Sequence, residues 1–533
     1  MNRHPARRIT HAAVLCACVA LLAGACSNSA DSADSGSGEV ASGGVDPGDS
    51  DPLGSDSELE AATELLDGIV EDTMERTGVP GVAVAVVSDD EVLYTQGYGV
   101  RSTETDEPVA SDTVFQIASM SKPLSSTVMS GLVDEGVIDW DDPISEHGNP
   151  YPLSDPWVTE HVTFADLFSH RSGLPGTAAG NDLEGIGIPR TEVLERLHLV
   201  PLNPFRQNFS YSNWAMTLGG EVAAMAAGES WEDLSERILF EPAGMDSTSA
   251  RYSDFLAAEN RAEQHALVDD EWVPEFKRMP DGQAPAGGVS STVEDLGRWA
   301  VLQLANGSLD GEQLIEGESL DVTHTPHITK SQAVGDSPAS SYGLGWNASE
   351  GSFGLEWSHS GAFSTGAATT VKLLPDSDLG IVVLTNAAPI GAAEEIADRF
   401  LDEMVADGNT EDWAALWGER MGGLYGEQSE LPGTPGDDPA HELSVYEGTY
   451  ANDYVGDVTI VARDGSLVAL MGPDAKEYPM TPLGADYFMY LDAPETPDYP
   501  ALAEFTVADG ATEASAVILG GFDGAGLGTL ERV

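Results

Sequence analysis

FQIASMSKPLSS, residues 115–126, sets a serine three places before a lysine in a chain with only five lysines: Lys122, Lys277, Lys330, Lys372 and Lys476. Residues i and i+3 share a helix face. Pro123 lacks an N–H and fits only near a helix start. The stretch therefore predicts Ser119 and Lys122 at the N-terminal end of a helix that continues through SSTVMSGLVDEGVID, with the serine close to the positive end of the helix dipole. A serine hydroxyl becomes a nucleophile when a neighbouring base takes its proton. Lysine is such a base only where burial or a nearby cation lowers its pKa. The plain alternative is a helix cap beside a surface lysine, and for the pair alone that reading is preferred.

On the N-terminal side, ELEAATELLDGIVEDTMERTG carries Leu59, Leu65, Leu66, Ile69, Val70 and Met74 at helical spacing. GVAVAVVSDDEVLYTQGYGV follows as two β-rich runs around Asp89-Asp90, a hairpin pattern. Residues 160–320 mix helices with Gly- and Pro-rich loops. From Leu355 three strand-like runs recur, LEWSHSG, GAATTVKLLP and LGIVVLTNA, and AAEEIADRFLDEMV then reads as a helix with Ile396, Phe400 and Met404 on one stripe. Strands joined by short turns make antiparallel sheet. If early and late strands share it, the fold is an α/β (α+β) sandwich, an antiparallel sheet flanked by helices, with a helical subdomain beside it and a cleft between. Beyond a Gly- and Pro-rich linker at 426–442, residues 443–533 read as short strands broken by turns such as Asp464-Gly465, the pattern of a small β-barrel.

The chain has 533 residues, ample for two or three domains. Its 23 Lys+Arg against 90 Asp+Glu give a net charge of −67. Such a surface repels phosphate backbones and anionic lipid, which argues against nucleic acid as a partner. Residues 1–25 read as a signal peptide: Arg3, Arg7 and Arg8, then the short apolar run AAVLCACVALLAGA. LLAGAC, ending at Cys26, resembles the lipobox of bacterial lipoproteins, whose cysteine is lipidated after cleavage; cleavage without lipid is the alternative, and the mass of the mature N-terminus separates them. The resemblance implies an exported protein held to the outer face of the cytoplasmic membrane by lipid on Cys26. Residues 26–57, rich in Ser, Gly and Asp, form a flexible tether. All three cysteines (Cys16, Cys18, Cys26) precede the body of the chain, which excludes disulfides, cysteine–zinc sites and thiol nucleophiles from residues 58–533.

Two further stretches weigh against the plain reading of Ser119 and Lys122. FSYSNW contains Tyr211-Ser212-Asn213, and WSHSGAFSTG contains His359-Ser360-Gly361-Ala362. Ser-x-x-Lys, Tyr-x-Asn and His-x-Gly in this order resemble the serine β-lactamase and penicillin-binding-protein superfamily, in the branch of class C β-lactamases, DD-peptidases and esterases. VTFADLFSHRSGLP, ILFEPAGMDST, PAGGVSSTVEDLGRWA and YGLGW resemble it too, so the likeness runs from about 58 to 410 within one hydrolase domain of 58–425, and 443–533 resembles the lipocalin-like β-domain appended to such enzymes. The resemblance implies Ser119 as nucleophile, Lys122 and Tyr211 sharing base and acid work, Asn213, His359, Ser360 and Gly361 binding substrate, and the backbone N–H groups of Ser119 and Ala362 as oxyanion hole. It implies no cofactor and no metal. His324 and His327 in THTPHIT are read as a polar loop, and His170 as structural. Where class C β-lactamases usually carry lysine then threonine, this chain has His359 and Ser360. A histidine is mostly neutral at pH 7, so peptidase or esterase chemistry is favoured over β-lactamase. The expected function is an exported acyl-serine hydrolase of a D-amino-acid peptide, ester or β-lactam. A penicillin- or peptide-binding lipoprotein without turnover is the alternative.

Overall fold

The early hairpin and the late strands meet in one sheet. The computed structural model describes residues 56–88, 90–176, 180–333, 339–406, 408, 411–422, 431–491 and 500–533; the expected leader, Cys26, most of the tether and Asp89 lie outside the described residues. The strands are β1 (Gly81–Ser88), β2 (Glu91–Gly99), β3 (Ile328–Ser331), β4 (Ser340–Tyr342), β5 (Asn347–Gly351), β6 (Gly354–Phe363), β7 (Ala367–Leu374) and β8 (Leu379–Thr385). Their order is β2-β1-β8-β7-β6-β5-β4-β3. Strand β1 pairs antiparallel with β8, Val82 opposite Thr385 and Val84 opposite Val383. Every residue of β1 is buried, which explains why GVAVAVVS shows no polar alternation: both of its faces are covered.

Helices α1 (Asp56–Thr77) and α5 (Ala392–Val405) cover one face. There Leu66, Ile69, Val70, Ile396 and Phe400 pack on Val82, Val84, Ile381 and Val383. On the other face Ala83, Ala85, Val371 and Val382 join the larger core, shared with α2 (Ser121–Asp134), α3 (Asn213–Ala227) and α4 (Val293–Leu304).

Helix α2 is buried on every side from Ser121 to Leu132. A serine-rich helix tolerates this because its hydroxyls reach carbonyl acceptors: Ser125 donates to Pro285 at 2.6 Å, Thr127 to Pro123 at 3.1 Å and Ser130 to Ser319 at 3.0 Å. The segment VTFADLFSHRSGLP begins with a capping box between Thr163 and Asp166. Asp166, fully buried, accepts from Arg171 at 2.7 Å and Arg206 at 2.6 Å. Burial raises its pKa, but the two guanidiniums outweigh that and hold it below the ordinary range. This ion triad ties together the two loops that carry His170 and Tyr211.

The C-terminal strands are β9 (Gly448–Asn452), β10 (Gly456–Arg463), β11 (Ser466–Met471), β12 (Lys476–Ala485), β13 (Tyr487–Leu491), β14 (Pro500–Thr506), β15 (Ala516–Leu519) and β16 (Thr529–Arg532). They form an eight-stranded barrel, closed by β12 pairing with β13 through Thr481 and Met489. Tyr446, Tyr450, Phe488 and Phe505 fill the interior in edge-on and tilted contacts. Within the stretch read as linker, Asp437–Pro439 pairs with β12. The barrel rests on the helical lobe: the Tyr454 hydroxyl donates to Asp182 at 2.8 Å, and Arg196 donates to the Tyr454 carbonyl at 2.9 Å.

Candidate active site

Ser119 lies in a short 3-10 turn, Ala118–Met120, that runs directly into α2. The turn is anchored through Ile117, the residue that precedes it. The Ile117 N–H donates to Val289 at 3.0 Å, and the Ile117 carbonyl accepts from Thr369 of β7 at 2.9 Å. Ala118 is held at φ 48°, a left-handed conformation disfavoured for a residue with a Cβ; such strain clusters at functional sites. Lys122, one turn on, is fully buried. Its Nζ lies 2.9 Å from Ser119 Oγ and donates to the Ala286 carbonyl at 2.7 Å. Tyr211 precedes α3, whose cap is Ser212. The Tyr211 hydroxyl donates to Ser119 Oγ at 2.9 Å, and its ring lies 4.6 Å beneath Lys122 Nζ. Two chain segments thus bring an amine and a phenol onto one serine oxygen.

Burial sets the protonation of both groups. It pulls Lys122 well below the ordinary lysine value, since an ammonium without water or a counter-ion is penalised. It pushes Tyr211 up, only partly offset by the bond to Ser119. Burial therefore favours the free amine on Lys122 and the protonated phenol on Tyr211.

The third motif divides by face. Side chains alternate along a strand. Gly361 faces the Ser119 turn so closely that a Cβ on it would come within 2.1 Å of the Ile117 carbonyl oxygen. His359 shares that face. Ser360 is on the other, where its hydroxyl donates to Thr370 at 3.2 Å. The pairing of β5 with β6 ends at Asn347 and Ser358, which leaves residues 359–363 with an open edge. The Gly366 N–H donates to the Phe363 carbonyl, directing Phe363 toward β7, so alternation turns the Ala362 N–H to the open edge. Asn213 opens α3, and its buried Oδ1 accepts no hydrogen bond among the described residues.

His359 uses both ring nitrogens: Nδ1 faces the Ser360 carbonyl at 2.7 Å and Nε2 the Tyr342 hydroxyl at 3.0 Å. Burial pulls its pKa down to about 3, so it stays neutral. His170 accepts from the Ser212 N–H at 3.2 Å, and its ring lies 4.4 Å from that of Tyr211. It fits the structural reading, yet it forms part of the site wall. His324 is not in a polar loop. It ends the helix Gly317–His324, is buried, and stacks on Trp357 at 3.8 Å. Among the described residues no group of three or more His, Cys, Asp or Glu is placed to hold a metal. Sequence reasoning passed over Tyr342, which lies within the quoted stretch YGLGW, and Lys330, which no local pattern separates from a surface lysine.

Gly361→Ala is expected to cut acylation by about a hundredfold, the cost of displacing reacting groups by roughly 1 Å. Single-turnover acylation kinetics check this, with circular dichroism showing the fold retained; near-normal acylation would mean that β6 yields without moving Ser119.

Residues 66–405 match the family described as Beta-lactamase. Among curated proteins, the chain is 27% identical over 428 residues to "Unguisins hydrolase ungD'" of Aspergillus campestris, covering 74% of this chain and 76% of that one. It is 26% identical over 318 residues to "Penicillin-binding protein 4" of Amycolatopsis lactamdurans, covering 58% of this chain and 81% of that one. The octameric penicillin-binding protein homologue of Pyrococcus abyssi superposes with a TM-score of 0.58 at 20% identity, over 86% of this chain and 98% of that one. The family match spans well over half of the sequence, on the sheet and helices that carry Ser119, Lys122, Tyr211 and His359: the chain belongs to the beta-lactamase family, within the serine β-lactamase and penicillin-binding-protein superfamily.

Proposed function

We propose that this protein hydrolyses an amide or ester through an acyl-serine intermediate on Ser119. The observation that carries the reading is a single serine Oγ within 2.9 Å of both a buried amine and a buried phenol. Lys122 Nζ, neutral, accepts the Ser119 proton as Oγ bonds to the substrate carbonyl carbon. The oxyanion that forms takes hydrogen bonds from the Ser119 and Ala362 N–H groups; donors fixed where charge develops are typically worth about 3 kcal/mol each. Tyr211 donates a proton to the departing nitrogen or oxygen, and the Lys122 ammonium then returns one to the phenolate, which restores both groups. Water then cleaves the acyl–oxygen bond by the same path in reverse. Asn213 Oδ1, with no donor among the described residues, is suited to accept an N–H from the substrate. Relatives named as a hydrolase and as a penicillin-binding protein fit this chemistry, and a neutral His359 favours peptidase or esterase activity over β-lactamase.

The test is intact-protein mass spectrometry during incubation with an aryl ester, a D-alanyl-D-alanine peptide and a cephalosporin. Hydrolysis of at least one, with a transient adduct on Ser119, is expected. An adduct that forms with every acyl donor and never decays would make the protein a ligand trap instead.

A further inference from the structure

The third motif brings no charge to the site, since burial keeps His359 neutral, and the molecule as a whole carries −67. An anionic substrate needs a local cation to enter such a field. Other basic side chains on the segments around the site are spoken for: Lys122 is held toward neutrality, His359 has both nitrogens engaged, Arg278 pairs with Glu184 at 2.6 Å, and Arg171 and Arg206 are held by Asp166.

Lys330 is different. It stands on β3, the edge strand, part-exposed. Its ammonium lies 5.8 Å from the ring centre of Phe209 and 5.9 Å from that of Tyr342. Both rings belong to the site wall: Tyr342 bonds His359, and Phe209 lies 6.4 Å from Tyr211. Its hydrogen-bond partner is the neutral amide oxygen of Asn347. Glu356, the carboxylate that acts on it, is ion-paired with Lys372 at 3.7 Å. Burial lowers the Lys330 pKa to about 8, with Glu356 opposing, so the ammonium form predominates at neutral pH.

We propose that Lys330 is the specificity-determining cation of this site and that it takes the carboxylate of an anionic substrate, replacing from β3 the charge that His359 does not provide. The proposal rests on the acyl-serine reading for the identity of the cleft. Its test is equilibrium binding in the Ser119→Ala protein, which needs no turnover. The probes are a neutral phenyl ester of N-acetylglycine, its para-carboxyphenyl counterpart, and a phenyl ester whose acyl chain ends in a carboxylate. Preference for one of the carboxylated esters over the neutral one is expected at about ten- to a hundredfold, the scale of a hydrogen bond to a charged group. Lys330→Met should collapse that ratio and Lys330→Arg should retain it; Lys330→Gln replaces the Met variant if the latter does not fold. Equal binding of all three esters, or an unchanged ratio in Lys330→Met, overturns the proposal. Turnover of the neutral ester by the protein with Ser119 intact is read separately. Failure of this ester together with both carboxylated ones to turn over would overturn the acyl-serine reading without touching the binding result.

Discussion

Ser119→Ala is expected to abolish covalent labelling by a fluorophosphonate and to lower kcat/KM by at least about 10⁴-fold, the loss typical when a nucleophile that acts with its base is removed. The substitution deletes one oxygen from a turn whose backbone is anchored independently, by Val289 and Thr369. The helix and sheet signals in circular dichroism should therefore be those of the parent protein. The Tyr211 hydroxyl and Lys122 Nζ lose their shared partner, so a modest fall in the melting midpoint accompanies the loss. Equal labelling of the parent and variant proteins, located by peptide mass spectrometry, would remove Ser119 from the mechanism.

Lys122→Met and Tyr211→Phe are expected to lose similar amounts of acylation rate, about 10³-fold or more each, and the double variant little more than either, because groups acting on one oxygen as a unit give non-additive losses. The protonation directions add a pH signature. Lys122 works as the free amine, so acylation falls as pH drops through its lowered pKa and is level above it; Tyr211, pushed upward, leaves no alkaline loss in the neutral range. The same burial carries a stability cost. Between the lowered folded pKa and the ordinary lysine value, the unfolded chain binds a proton that the folded one does not, so the contribution of Lys122 to stability improves as pH rises through that window. Lys122→Met removes the penalty and should raise the unfolding free energy by about 0.5–2 kcal/mol in the protein that has lost acylation. Losses that multiply in the double variant, measured by stopped-flow acylation, would show that the two residues act separately. A destabilised Lys122→Met protein would show that the lysine is not held neutral.

The sequence by itself determined the order of the three motifs, the helix that starts beside Ser119, the central strand with no polar face, and the late strands that pair with it. These are local patterns: Pro123 marks a helix start wherever it stands, and a run such as GVAVAVVS is apolar whatever covers it. The closed barrel was legible in the same way, from short runs and turn residues. What the sequence left open was chemical state. Whether Lys122 is a surface cation or a buried amine depends on Ala286 and Tyr211, 164 and 89 positions away along the chain. His359 is neutral because Tyr342 and its own strand occupy its ring nitrogens under burial. Ser360 turned away from Ser119 because strand alternation gave that face to Gly361. His324 was read as part of a polar loop, and only the packing of Trp357 against it showed otherwise; nothing local in the sequence sets Lys330 beside Phe209 and Tyr342. Secondary structure follows from neighbours three or four residues apart, whereas a pKa follows from whatever the folded chain brings within a few ångströms, and that set is fixed only when the sheet and helices close over the site.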